Sequence, residues 1–280
     1  MYLVTGATGN VGREVVEQLL AAGQRVRVYA RDAGKVAHWG ERVQVAAGDF
    51  RMPETFARAS DAVEAIFVMN GNQDPQTFAR CIAAAKKHGA PRIVFLSTIL
   101  ADVPDMEVGQ LHKQMEESIR ESGLRAAFVR PGGFMSNACQ WIGTIKTESA
   151  VYNPMGEGRY APIAPEDTAA VAVRALIDQN LCGEVFEITG GELLSVPEQV
   201  DCLARLLRKP IRCVNVPVQA AVNEIIRAGI PAQMAAAVGQ SFQAIRDGRG
   251  SIITETVAKV TGRPPKTFEV WARERASLFS

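Results

Sequence analysis

Thr5-Gly6-Ala7-Thr8-Gly9-Asn10-Val11-Gly12, entered directly from the apolar run Tyr2-Leu3-Val4, reads as a strand, a glycine-rich turn and the start of a helix. Without Cβ atoms, Gly6 can take the tight turn, Gly9 lets the backbone approach a pyrophosphate, and Gly12 lets the helix sit close on the sheet. The free N–H groups and positive dipole end of that helix then face phosphate oxygens. Gly6, Ala7, Thr8, Gly9, Asn10 and Val11 are therefore the first candidate cofactor-binding residues. The spacing is G-x-x-G-x-x-G rather than G-x-G-x-x-G, so the flanking order carries the reading. A helical face of Val11, Val15, Val16, Leu19 and Leu20 follows, then Gly23 as a stop and a second strand over residues 25–30. That order makes a βαβ unit.

The end of the second strand bears on which nucleotide is bound. An acidic residue there accepts from the ribose hydroxyls of NAD, whereas Arg31 can pair with the 2′-phosphate of NADP, with Lys35 as a second cation. Asp32 is adjacent and acidic. The expectation is NADP, supplied as NADPH, in preference to NAD.

Further along, strand and helix signals alternate, the pattern of a doubly wound parallel sheet. Strands are expected at 43–46, 65–69, 92–97 and 126–130. Helices are expected to open at Pro53, to run over 76–87, and to pass through Met115 and Ile119. Ligands of such sheets sit beyond the carboxyl ends of the strands. This adds Asp49, Phe50, Met69, Asn70, Gly71, Ser97, Thr98, Pro131 and Phe134 as cofactor candidates. Past residue 135 glycines and prolines punctuate the chain and strands become scarce. The expected fold is thus a Rossmann-like doubly wound α/β sheet with a smaller, mainly helical C-terminal substrate lobe. Its nucleotide-binding domain spans 1–134 and the lobe 135–280, with 182–190 returning to the sheet as a seventh strand. Ser195-Val196-Pro197-Glu198 is a capping box. Residues 219–245, alanine-rich and amphipathic, suit a lid or wall over the pocket.

Composition narrows the partners. A length of 280 residues supports one enzyme-sized unit, and a net charge of +1 offers no electrostatic case for nucleic acid or an anionic membrane. No apolar run reaches spanning length and the first residues enter a strand, so the expectation is a cytoplasmic monomer or homodimer acting on a small-molecule acceptor. Five cysteines, odd in number and without a C-x-x-C pair, read as reduced thiols. His38, His88 and His112 have no metal-ligand spacing, and no metal site is expected.

Several stretches together resemble the NmrA-like branch of the atypical short-chain dehydrogenases/reductases. They are Val4 to Gly12, Ala30-Arg31-Asp32, Gly48-Asp49-Phe50, Ser122-Gly123-Leu124, Val129-Arg130-Pro131-Gly132-Gly133-Phe134-Met135-Ser136-Asn137, and Thr261-Gly262-Arg263-Pro264-Pro265-Lys266-Thr267-Phe268. The resemblance implies NADPH-dependent reduction of quinones or triphenylmethane dyes, or redox sensing without turnover. It also implies Asp49 and Phe50 at the adenine, and Asn70 and Gly71 at the nicotinamide-side ribose.

The wider superfamily carries Tyr-x-x-x-Lys, whose lysine lowers the tyrosine pKa for proton donation. The residues four positions after Tyr2, Tyr29, Tyr152 and Tyr160 are Gly6, Ala33, Gly156 and Ala164, so this chain lacks that pair. At the position where related benzylic ether reductases keep the lysine stands His112, a candidate catalytic residue for proton donation or substrate orientation. Glu116, one helical turn on, could share its face. The chemistry expected is hydride transfer to a conjugated, electron-poor acceptor such as a quinone, set by orientation in a desolvated pocket. Phe134, Met135, Asn137, Trp141 and Tyr152 are the candidate acceptor-site residues. The alternative is a non-catalytic NADP sensor. Sugar-nucleotide epimerisation is disfavoured without the tyrosine–lysine pair.

Overall fold

The computed structural model describes residues 1–69, 74–89 and 92–280. In chain order the first part comprises β1 (Tyr2–Thr5), α1 (Asn10–Ala21), β2 (Val26–Ala30), a 3₁₀ stretch (Ala33–Arg42), β3 (Val43–Ala47), α2 (Pro53–Ala59), β4 (Ala65–Met69), α3 (Pro75–Lys87), β5 (Arg92–Leu96), α4 (Glu107–Glu121) and β6 (Arg125–Pro131). There follow a 3₁₀ turn (Met135–Trp141), α5 (Ile142–Glu148), β7 (Ala150–Asn153), β8 (Arg159–Tyr160), α6 (Pro165–Ile177), β9 (Val185–Ile188) and β10 (Leu194–Ser195). The chain ends with α7 (Val196–Leu207), β11 (Arg212–Asn215), α8 (Val218–Arg227), α9 (Ala232–Arg246), α10 (Thr256–Thr261), α11 (Phe268–Glu274) and α12 (Ala276–Phe279).

Seven parallel strands form the central sheet in the order β3-β2-β1-β4-β5-β6-β9. The inner strands β1, β4 and β5 are largely apolar because helices cover both faces, whereas β2, β3, β6 and β9 also carry Arg27, Gln44, Arg130 and Glu187. Alternate residues feed opposite layers. Val4, Val28, Phe67 and Val94 pack toward α1 and α6, whereas Leu3, Tyr29, Ile66 and Phe95 pack toward α2, α3 and α4. The strand order reverses between β1 and β4, which opens a crevice above their carboxyl ends.

The second half contributes more to this layer than the returning strand. Helix α6 lies against α1 and buries Val171, Ala172 and Ala175 in the same cluster as Val15 and Leu19. Beyond it, Met135, Ile145, Val151, Leu203, Phe268, Trp271 and Phe279 form a separate core. Two small sheets, β8 with β10 and β7 with β11, stand where strands looked scarce. Pairings only two or four residues long show no readable alternation. The capping box at Ser195 and Glu198 forms as expected. The 219–245 segment is two helices, broken where Gly229 takes φ +90° and Pro231 caps α9.

The Thr261–Phe268 ending is a clamp onto the start of α6. The fully buried Asp167 accepts from the Lys266 backbone N–H at 2.7 Å, and Arg263 Nη1 lies 2.8 Å from its other oxygen. Glu166, beside it, pairs with Arg275.

Candidate functional site

The glycine turn lies at the β1/β4 reversal. Gly6 has φ +64°, and a Cβ there would stand 1.8 Å from the Met69 sulfur. A Cβ on Gly12 would stand 2.2 Å from the Gly6 carbonyl oxygen, so helix and turn touch backbone to backbone. Gly9 donates its N–H to that same oxygen at 2.9 Å and is the N-cap of α1. Among the described residues no side chain caps this helix, and its first turn holds no acidic residue. Its leading N–H groups are thus available to an anion, the arrangement that a dinucleotide pyrophosphate needs. Thr8 and Asn10 are exposed beside the turn while Ala7 and Val11 pack beneath it. Thr5 Oγ1 accepts the Met69 N–H at 3.1 Å, which ties the ends of β1 and β4 together. Asn70 and Gly71 lie outside the described residues.

At the β2/β3 corner the Gly48 N–H donates to the Ala30 carbonyl at 3.1 Å, bringing the Asp49 loop beside Arg31. Arg31 and Lys35 are exposed and make no ion pair among the described residues. Asp32, the acidic competitor, accepts the Gly34 N–H through Oδ1 at 2.8 Å as an N-cap. Asp49 is gripped by Arg51, whose Nη2 stands 2.7 Å from Oδ2. That side-chain bond, helped by the Arg51 backbone N–H, holds the Asp49 carboxyl below the usual carboxylate range. Phe50 is buried edge-on to Tyr29, 5.5 Å between ring centroids. Burial raises the Tyr29 phenol to about 12, and its oxygen stands 2.7 Å from Thr55 Oγ1, which accepts the Asp49 N–H at 3.2 Å.

On the other side of the crevice, Ser97 is spoken for. Its hydroxyl donates to Glu116 Oε1 at 2.6 Å and its N–H to the Val129 carbonyl at 2.8 Å. Glu116 is fully buried and also receives Arg130 through two bonds of 2.8 Å, and Arg120 at 3.0 Å. Burial alone would raise the Glu116 carboxyl, but the bonds from Arg130, Ser97 and Arg120 together bring it below its ordinary value. Arg130 further reaches Asp102, which Lys113 and Arg130 lower to about 2. Thr98, half-buried, accepts the Leu100 N–H at 3.3 Å.

His112 is half-buried with its ring centroid 6.2 Å from that of Phe95. Its Nδ1 lies 2.9 Å from the Val108 carbonyl, so Nδ1 carries the hydrogen in that bond. Desolvation lowers its pKa, opposed by that bond and by the Glu116 charge. A neutral ring bonded this way presents Nε2 as an acceptor. No hydrogen bond joins His112 to Glu116, whose carboxylate is filled by Ser97, Arg130 and Arg120.

Pro131 closes β6, and Phe134, half-buried, bridges to Ile163. Asn137 is exposed, whereas Met135 is buried in the C-terminal core and Trp141 packs against it. Tyr152 is exposed on β7 and its hydroxyl donates to Glu148 Oε2 at 2.6 Å. The strand ends thus align the glycine turn, Arg31, Asp49, Phe50, Met69, Ser97 and Thr98 on one edge, and Tyr152 belongs to a separate small sheet. Sequence reading overlooked Arg51, because only the folded loop brings it onto Asp49.

A doubly wound parallel sheet with an uncapped glycine turn at its reversal point defines a dinucleotide-binding α/β protein. The chain belongs to the NAD(P)H-binding family, whose family model matches residues 6–179. Over 282 residues it is 35% identical to a (4-alkanoyl-5-oxo-2,5-dihydrofuran-3-yl)methyl phosphate reductase of Streptomyces griseus, covering 100% of this chain and 99% of that protein. It is 34% identical over 284 residues to an NAD(P)H azoreductase of Xenophilus azovorans, with coverage of 100% and 99%. The fold matches an NADPH-dependent quinone oxidoreductase of Escherichia coli, solved with NADPH, at TM-score 0.86 and 22% identity over 100% of both chains.

Proposed function

We propose that this protein is an NADPH-dependent oxidoreductase that reduces a quinone or a similarly conjugated, electron-poor small molecule. The observation that carries the reading is the uncapped N-terminus of α1 behind the left-handed Gly6, set at the strand reversal with Arg31 and Lys35 exposed one strand away. Likeness along the full chain to two proteins named as reductases supports the oxidoreductase class. The exposed Arg31 and Lys35 support the phosphate-bearing cofactor, while Asp32 beside them has one carboxylate oxygen engaged in a local cap.

The residues fit the cofactor. Residues 6–11 hold the pyrophosphate, Arg31 and Lys35 the 2′-phosphate, and Asp49 and Phe50 the adenine. Met69, Asn70, Gly71, Ser97, Thr98, Pro131 and Phe134 belong to the nicotinamide half. Bound there, NADPH supplies a hydride. Phe134 and Asn137 line the acceptor side, while Met135 and Trp141 support them from the core behind and Tyr152 stands further out. His112, neutral and Nδ1-protonated, presents Nε2 as an acceptor, so it can orient an electron-poor acceptor that carries a hydroxyl donor, such as a hydroxyquinone, and is not suited to giving up a proton. An electron-poor acceptor suits a site without the tyrosine–lysine pair, because hydride arrival leaves a stabilised anion that needs no strong acid. Residues 135–280, with α6, β9 and α10 lent to the sheet layer, supply the acceptor lobe. Helix α9 and the loop after it wall it off, through Gln240, which accepts the Glu107 N–H at 3.1 Å, and through the Arg249–Asp105 pair at 2.7 Å.

The test is the absorbance of reduced nicotinamide on mixing the protein with NADPH and a panel of small quinones. Consumption dependent on both protein and quinone is the expected result. Tight NADPH binding with no consumption for any member of the panel would replace this reading with a sensor.

A further inference from the structure

Arg51 lies in no glycine motif and does not belong to the basic pair after β2, yet the fold builds a place for it. Its guanidinium meets Asp49 side-on: Nε stands 3.2 Å from Oδ1 and 3.1 Å from Oδ2, and Nη2 stands 2.7 Å from Oδ2. Its backbone N–H donates to Oδ1 at 2.9 Å, so side chain and main chain hold the same carboxylate. Asp49 is itself well anchored, with a side chain only 14% exposed and a backbone N–H bonded to Thr55 Oγ1. Arg51 is 77% exposed, which leaves it open to a ligand from solvent. The Arg31 charge also acts on Asp49, after the stronger effect of Arg51, as expected from the Gly48–Ala30 bond that joins the two loops.

A guanidinium has five N–H donors in a planar fork. The edge formed by Nε and Nη2 is taken by Asp49. The end-on edge, formed by one Nη1 hydrogen and the second Nη2 hydrogen, has no partner among the described residues and can bind an oxyanion bidentately. The carboxylate behind it fixes the plane of that edge, so less side-chain freedom is lost when a ligand binds.

We infer that Arg51, positioned by Asp49, is a specificity-determining residue that joins Arg31 in gripping the 2′-phosphate of an adenosine 2′-phosphate ligand. This rests on the NADPH reading above and adds a binding residue to it. The loops after β2 and β3, next to one another in the sheet, then supply an arginine each, and both act on Asp49. Asp49 is the structural anchor of the pair as well as the candidate adenine neighbour.

The test uses two adenosine fragments that require neither acceptor nor turnover. Titration calorimetry with adenosine 2′,5′-bisphosphate and with 5′-AMP is carried out on the wild-type protein, Arg51→Ala, Arg51→Lys and Arg31→Ala. The expected result is that Arg51→Ala weakens the bisphosphate about tenfold, the order of a charge-assisted bond, while 5′-AMP changes by less than about twofold. Arg51→Lys recovers only part of the loss, because an ammonium cannot offer two parallel donors from one plane. Because the side chain is exposed, the melting temperature of Arg51→Ala should match the wild type. If wild type prefers the bisphosphate, and Arg51→Ala keeps that preference or loses both fragments equally, the role of Arg51 is overturned and the NADPH reading stands. If wild type binds both fragments equally or neither, the NADPH reading fails and this inference fails with it.

Discussion

Arg31 and His112 carry the cofactor choice and the orientation of the acceptor. Arg31, at the end of β2, is exposed and makes no ion pair among the described residues, and with Lys35 it offers the cations that a 2′-phosphate needs. Arg31→Ala should weaken NADPH by about tenfold or more and leave NADH within about twofold, read as Kd by fluorescence quenching. Equal losses would remove its assigned role. His112 has its pKa depressed by desolvation, against the pull of the Val108 carbonyl and Glu116. The ring is therefore neutral at and above pH 7 and becomes charged only as pH falls below its ordinary value. If Nε2 orients the acceptor, kcat/KM should be level through neutral pH, decline on the acid side, and lose that decline in His112→Asn. A rate that rises as pH falls through the same range would mark a cationic acid instead.

Elements explain why these residues hold their places. The contact between α1 and the glycine turn is made of backbone, and Gly12 has no room for a methyl group, whose carbon would lie 2.2 Å from the Gly6 oxygen. Gly12→Ala should cost about 1–3 kcal/mol by overpacking and displace the helix start, with NADPH binding falling alongside the melting temperature. Retained stability with intact binding would mean that the turn yields more easily than its geometry suggests. Between α4 and β6, Glu116 and Arg130 form a buried pair. Glu116→Gln should cost about 3–5 kcal/mol, because Arg130 then keeps a buried charge without its main partner. Both Glu116 and Asp102 have pKa values below their ordinary values, Asp102 at about 2 against 3.8. Their contribution to stability is complete above the unfolded carboxylate pKa and is lost as pH falls through the lowered values. Acid unfolding should therefore lie below about pH 4, and Asp102→Asn should flatten that limb. A melting temperature unaffected by pH in that range would contradict the pairing.

Across the whole molecule, what could be read ahead of the structure follows from burial. Runs such as Ile66-Phe67-Val68 and Ile93-Val94-Phe95 are apolar on both sides because the sheet is covered on both faces, so the strands and their parallel order were legible. The glycine turn was legible for a similar reason, since its backbone contacts admit no side chain. Less accessible were β8 and β10, too short to show a period, and the docking of α6 on α1, which depends on contacts between distant parts of the chain. The Arg-Pro-Pro ending carried no sign of its target. Asp167 and the segment 263–266 meet only through the fold. Arg263→Ala should loosen this clamp and lower the melting temperature without altering the NADPH to NADH ratio, which separates the clamp from the site.

The central claim is hydride delivery from NADPH to an electron-poor acceptor, and it is tested most directly by comparing initial rates with NADPH and with NADH against one small quinone. The expected result is consumption with both and a kcat/KM for NADPH higher by about tenfold or more. Saturable NADPH binding without consumption of either nucleotide would contradict it.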